Sequence, residues 1–458
     1  MRMNAETQRK RIQNLNEAAA AVKSCYNKLR IRDYMPGQVI YNLDRCQEGA
    51  DATPTEYDEN LLKEYQKRGF ELIQIHTDWM DTYRQHGADK FSAIHPEGMK
   101  KFVDMCHKYG IKIIAYASST FFWAKDPDFK EEFARMDAYL RGGTMNLRIN
   151  WSGSPEWREY VWNKSMDMLE EYGFDGLYND MGHDAFLKNY MEELERTGFC
   201  SGETMKELPY EQEVEDFLAL YYEEMKRRGM IYKVHIGNYL APNTKEKVYD
   251  YLYVAEGSRS LEGVIENCKH MQPYLVPAFD RRVCEIKDPD TVYACCIPFV
   301  QFPLLYHGRP ITHCGWSTDL EYFDSQEFDG KLLTHDAMAV KHLKEHPGEY
   351  TYSEWSEIPD DPKEFDRCSH YLALYKPMVT DGSIARMEVR DCDFITSPIP
   401  EKVYISLFTN EEQYMVVSNL TDAPYEVTLA EPWANRETGE EGTSFCVPVG
   451  KILFLKKL

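Results

Sequence analysis

A chain of 458 residues with 43% hydrophobic content carries enough apolar material for a large core and, at that length, for two or three domains. Its formal net charge of -23, with no basic stripe, argues against a nucleic-acid partner. No apolar run reaches the ~18 residues a membrane span needs, since the longest, 295–306, is interrupted by Pro298 and Pro303.

The N-terminal stretch has basic residues but lacks the apolar core of a signal peptide, so residues 1–36 read as an exposed helical extension of a cytoplasmic protein. The 12 cysteines show no regular spacing and no CxxC pair, the pattern of reduced, buried thiols rather than a disulfide framework.

From Gln38 onward, strand and helix signals alternate. Val39 to Leu43 is a short apolar strand ending at Asp44. A helix from Asp58 to Arg68 is stopped by Gly69, and the strand from Phe70 to Ile75 runs out at Asp78 and Trp79. Pro96 opens the next helix and Gly110 closes it, ahead of a β-branched strand from Ile111 to Tyr116. A long excursion to Ser154 follows, carrying Trp123, Arg148 and Trp151; a loop of that length in a compact domain is usually functional. The helix begun by Ser154-Pro155-Glu156 ends near Tyr172. Strand four is then Gly176 to Tyr178, with Asp180, His183 and Asp184 just beyond. Helical segments at 185–197 and 210–228 precede a strand at 231–236 that ends in Gly237-Asn238. Strand six, 249–255, ends in Glu256 and Arg259. Strand seven, 274–278, ends in Asp280, and strand eight, 297–305, ends in Tyr306-His307.

Eight such alternations predict a parallel (β/α)8 barrel over residues 37–349. A doubly wound sheet would want a glycine-rich phosphate loop after strand one, and Asp44-Arg45-Cys46-Gln47 is not one. Past residue 350 the texture changes to alternating apolar and polar runs with turns between, which predicts a C-terminal antiparallel β-sandwich over 350–458.

Side chains at the C-terminal ends of barrel strands share one mouth. The strands deliver Asp44, Asp78 with Trp79, Asp180 with His183, His235 with Asn238, Glu256 with Arg259, Asp280 and His307 to that rim. Carboxylates gathered in one bowl can differ in protonation, which is what glycoside cleavage asks of its acid and its nucleophile. Aromatic walls and the Asp, Asn, His and Arg set suit a sugar's faces and hydroxyls. The expected partner is therefore a carbohydrate, with no cofactor required and self-association left open.

Trp157-Arg158-Glu159-Tyr160, followed by Gly173-Phe174-Asp175-Gly176-Leu177-Tyr178-Asn179-Asp180, resembles the helix and strand that lead to the nucleophile of retaining (β/α)8 glycoside hydrolases of the α-galactosidase type. The C-terminal segments Glu431-Pro432-Trp433 and Thr438-Gly439-Glu440 resemble the sandwich that closes such enzymes. The resemblance implies Asp180 as nucleophile and Glu256 as acid/base. The rim and loop positions make Asp44, Asp78, Trp79, Trp123, Arg148, Tyr178, His183, His235, Asn238, Arg259, Asp280 and His307 the expected substrate contacts. The chain departs from that family's pattern where Tyr178 replaces a lysine two residues before the nucleophile, and where the acid/base is Glu rather than Asp. Two other readings remain: a metal-dependent hydrolase built on His235, His307 and carboxylates, and a non-catalytic carbohydrate-binding barrel.

Overall fold

The computed structural model describes residues 4–43, 51–75, 79–80, 91–119, 121–123, 126–140, 147–150, 153–180, 210–236, 247–254, 265, 273–277, 288–309 and 363–458. Among these, β1 is Val22–Arg30, β2 Gln38–Asn42, β3 Leu72–Ile75, β4 Lys112–Ala117, β5 Phe121–Trp123, β6 Ala134–Leu140, β7 Leu147–Asn150, β8 Gly176–Asn179, β9 Ile231–Ile236, β10 Tyr251–Val254, β11 Leu275–Pro277 and β12 Leu305–Gly308. The C-terminal strands are β13 (Ile384–Cys392), β14 (Val403–Thr409), β15 (Gln413–Asn419), β16 (Tyr425–Asn435), β17 (Glu441–Val447) and β18 (Lys451–Lys457).

Eight strands form one sheet in the order β11-β10-β9-β8-β4-β3-β2-β12. Chain order is kept around the sheet, with the last barrel strand, β12, lying parallel beside the first, β2. This is the expected (β/α)8 barrel. Its helices begin and end where local chemistry dictates. Glu56–Arg68 has a capping box between Thr55 and Asp58 and stops at the left-handed Gly69. Pro155–Tyr172 is capped by Ser154 and stopped by Gly173. Two glycines are forced by close approach of the backbone. A Cβ on Gly176 (φ +154°) would collide with the Ile231 backbone, and one on Gly308 (φ +122°) with that of Asn42.

The excursion after β4 is a small three-stranded sheet, β5-β7-β6. Phe122 and Phe133 from this segment pack on Trp157 and Tyr160 of the following helix. The helix expected at 185–197 lies outside the described residues.

The C-terminal strands hydrogen-bond in the order β1-β13-β14-β15-β18-β16-β17. Strand β16 is long and carries a register break between Thr428 and Trp433; it pairs with β17 on one side and, through Trp433 to Asn435, with β18. The sheet thereby closes over a core of Val403, Leu407, Met415, Val417, Val427, Trp433, Phe445 and Leu453.

Two features differ from the expectation. Residues 1–36 are helical only over Ala5–Ala21; β1 then pairs antiparallel with β13. Strand eight begins at Leu305, not near Ile297. Residues 289–296 are helical and Ile297–Phe299 is a single 3-10 turn, because Pro298 and Pro303 remove donors that a central strand would use. The chain divides into two compact units, one of Met1–Gly37, Glu256–Pro303 and Phe365–Leu458, the other of Gln38–Ala255 and Leu304–Glu364.

Candidate active site

Paired residues of parallel strands face the same side of the sheet, so the registers fix which side chains enter the barrel. Gln38 pairs with Leu72 and Leu72 with Lys112. Continued through Ala115 with Leu177 and Gly176 with Ile231, that line reaches Gly229 before β9. Yet the Gln38 side chain meets Lys233, whose Nζ donates to Gln38 Oε1 at 3.1 Å. The contact lies four residues further along β9 after four strand-to-strand steps. A climb of one residue per strand is the stagger of an eight-stranded barrel.

The interior can therefore be read level by level. Gln38 and Lys233 form a low level. Above them stand Gln74, Tyr178 and Tyr253, and Lys233 Nζ lies 5.8 Å and 5.3 Å from the two tyrosine ring centroids. Above these come Tyr116 and His235, then Asp180.

Asp180 is the focus. Its Oδ2 accepts from the Tyr116 hydroxyl at 2.5 Å, and its Oδ1 accepts from the Tyr178 hydroxyl at 3.2 Å and from His235 Nδ1 at 2.6 Å. The carboxylate requires the proton on Nδ1 of the imidazole, which sets its orientation. Three donors on one carboxylate suit an anion held in a fixed pose. The Asp180 side chain is 18% exposed and the His235 side chain is buried, so the acid reaches the mouth while its partners form its seat.

The backbone around Asp180 is fixed as well. Its N–H donates to Ala117 O, and Ser118 Oγ donates to Asp180 O. Behind the sheet, Asn179 accepts from Ser119 N and donates to the Tyr232 hydroxyl, while Trp157 Nε1 donates to Ser119 O. One outward network thus ties β4, β8, β9 and the helix after β7 to the loop that carries Asp180.

Of the sequence-predicted residues, Asp180, Tyr178 and His235 are brought together. His307 is not among them. It pairs in register with Tyr41, on the outer face, and its Nδ1 shares a 2.6 Å hydrogen bond with the Tyr65 hydroxyl. Burial, helped by the Arg68 charge, pulls its imidazole down to about 4, so it is neutral. His235 and His307 therefore face opposite sides of the barrel wall and do not form the pair that the alternative metal-dependent reading needs. Among the described residues no group of three or more His, Cys, Asp or Glu is placed to hold a metal ion.

Trp79 is also corrected. It is fully buried, packs edge-on against Tyr172 and Phe174, and donates from Nε1 to Tyr116 O. It is core, bracing the strand that carries Tyr116. Trp123 and Arg148 lie on β5 and β7, and Arg148 is level with Phe122 in that sheet. Asp44, Asp78, His183, Asn238, Glu256, Arg259 and Asp280 lie outside the described residues.

Sequence reasoning missed Tyr116, Tyr253 and Tyr306. Each shares strand parity with an inward position: Tyr116 with Tyr178, Tyr253 with His235, and Tyr306 with Ile40. Parity along the strands was the signal that could have found them.

The fold and the site define a (β/α)8 barrel with a C-terminal β-domain and a carboxylate seated at the end of its fourth strand. No protein-family model matches the chain, and no curated protein matches it by sequence. Solved structures do match. A noncanonic maltogenic α-amylase, AmyB of Thermotoga neapolitana, is 14% identical with a TM-score of 0.51, covering 93% of this chain and 99% of its own. A MUTB mutant from crystals soaked with trehalulose is 12% identical with a TM-score of 0.55, over 93% of this chain and 100% of its own. The trehalose-6-phosphate hydrolase of Bacillus licheniformis is 12% identical with a TM-score of 0.53, over 92% and 99%. At these identities the likeness establishes the fold. None of the three is named an α-galactosidase, so that finer likeness rests on the local sequence alone.

Proposed function

We propose that the protein cleaves glycosidic bonds, α-linked ones first among them, by double displacement. The seating of Asp180 carries this reading: a partly exposed carboxylate at the end of strand four, held by Tyr116, Tyr178 and His235. Asp180 attacks the anomeric carbon as the leaving oxygen takes a proton, and the glycosyl ester that forms is then hydrolysed by an activated water. Glu256, two residues past the end of β10 in sequence, is the proposed acid and then base. The three donors contribute by fixing the attacking carboxylate before substrate arrives. No cofactor enters this chemistry. The named structural neighbours support a carbohydrate substrate, and α-galactoside specificity with a cytoplasmic location is the finer form of the reading.

The test is hydrolysis of a panel of nitrophenyl α- and β-glycosides by the wild type, Asp180→Ala and Glu256→Ala. Cleavage of one glycoside, loss of activity in Asp180→Ala, and azide rescue of that variant as the inverted glycosyl azide support the reading. Full activity in Asp180→Ala would overturn it.

A further inference from the structure

We infer that Tyr306 is what the eighth barrel strand contributes to the substrate, its phenol binding a hydroxyl of the sugar ring that sits on Asp180. This rests on the glycoside-cleaving reading above and adds to it a residue that fixes which sugars fit.

The register carries the argument. Tyr306 pairs with Ile40, Ile40 with Gln74, and Gln74 with Ile114. Extended to β8, that line falls on Gly176. The barrel climbs one residue per strand, so four steps place Tyr306 level with Asp180, on the opposite side of the barrel. Its neighbour His307 has the other parity and points outward.

Exposure points the same way. Tyr116, Tyr178, His235 and Tyr253 are all buried, with 2–3% of their surface exposed. Asp180 and Tyr306 are both part-exposed. Among the described interior side chains of these upper levels, they are the two through which the wall meets the mouth.

The chemistry fits a hydroxylated ring. The hydroxyls of Tyr306 and Tyr253 are 3.0 Å apart, and either can be the donor. When Tyr253 donates, Tyr306 offers its own proton to a sugar hydroxyl; when Tyr306 donates, its oxygen accepts from one. Tyr253 is itself fixed, with Lys233 5.3 Å from its ring centroid and His235 edge-on against it at 4.9 Å. Such a hydroxyl pair can match a sugar hydroxyl in either sense, so the site favours a sugar that carries that group over one that lacks it.

The experiment compares wild type, Tyr306→Phe, His307→Gln and Asp180→Ala on the nitrophenyl glycoside cleaved best and on its mono-deoxy analogues. We expect Tyr306→Phe to lose about tenfold in kcat/KM on the parent glycoside. It should also lose most of the wild type's discrimination against one deoxy analogue, while His307→Gln keeps that discrimination. Independently, tetranitromethane should nitrate Tyr306 ahead of Tyr116, Tyr178 and Tyr253, and the product monosaccharide should protect it. If Tyr306→Phe keeps both kcat/KM and discrimination while Asp180→Ala is inactive, the inference is wrong and the functional reading stands. If no glycoside is cleaved, the reading itself fails and the inference with it.

Discussion

Asp58 offers a decisive test of how the barrel is braced. It is fully buried on the helix after β2, and Arg309, just past β12, reaches it through Nε and Nη2, both at 2.8 Å. The Tyr41 hydroxyl donates to it at 2.5 Å, and its second oxygen accepts from Thr55 N and Thr55 Oγ1 at 2.6 and 2.7 Å. The guanidinium also donates to the carbonyls of Asp51 and Thr53. Asp58→Ala would strand a buried cation, a loss of about 3–5 kcal/mol, and would remove half of a capping box worth about 1 kcal/mol. The expected destabilisation at neutral pH is about 4 kcal/mol, read from urea unfolding followed by tryptophan fluorescence. Asp58→Leu combined with Arg309→Met should recover much of it, since the apolar pair leaves no charge unmatched. Burial pushes the Asp58 carboxyl up, but Arg309, Tyr41 and Thr55 override it and hold it below the ordinary 3.8. A depressed carboxylate contributes its stability above 3.8 and loses it as pH falls through the lower native value. The acid limb of the wild type should therefore be flatter in Asp58→Ala. A loss below about 1 kcal/mol in Asp58→Ala would refute the reasoning, because no buried ion could then have been left unpaired.

Other outcomes follow from the same geometry. His307 titrates near 4 in the folded chain against an ordinary 6.5, so the fold loses stability as pH drops from 6.5 to 4 and no further below it. That slope, about 3 kcal/mol in all, should shrink in His307→Gln when Tm is followed across pH. Burial holds the Lys233 amine well below 10.5, so the unfolded chain gains its proton first and stability rises with pH towards 10.5. Lys233→Met should remove that rise and match or exceed wild-type stability at pH 7, as unfolding at neutral and alkaline pH would show. Tyr116→Phe takes one charge-assisted donor from Asp180, and a fall of roughly 10- to 100-fold in kcat/KM is expected with the fold unchanged. Wild-type rates in that variant would mean that Asp180 is not held in its working pose by Tyr116.

Much of the barrel was legible because its strands are short apolar runs and the helices between them are closed by glycines, as at Gly69, Gly110, Gly173 and Gly229. Asp180 was legible because a polar cluster follows one of those runs. Parity was harder to see. Tyr306 and His307 are adjacent, and a one-residue choice of face sends one into the mouth and the other behind the wall. That choice is set by the register in which β12 pairs with β2, whose residues lie far away in sequence. Trp79 looked like a sugar platform because an exposed and a buried tryptophan are identical in sequence. Strand β1 was missed for another reason. As an edge strand it carries Lys23, Lys28 and Arg30, charges that protect an open edge and also hide the alternation of a strand.

Strand β1 also has a consequence for synthesis. Val22–Arg30 finds its partner in Ile384–Cys392, about 350 residues later. At ribosomal rates of about 5–20 residues per second, that partner emerges roughly 20–70 s after the strand itself. Throughout that interval β1 is without its partner strand, and its lysines and arginine disfavour pairing with a neighbouring nascent chain.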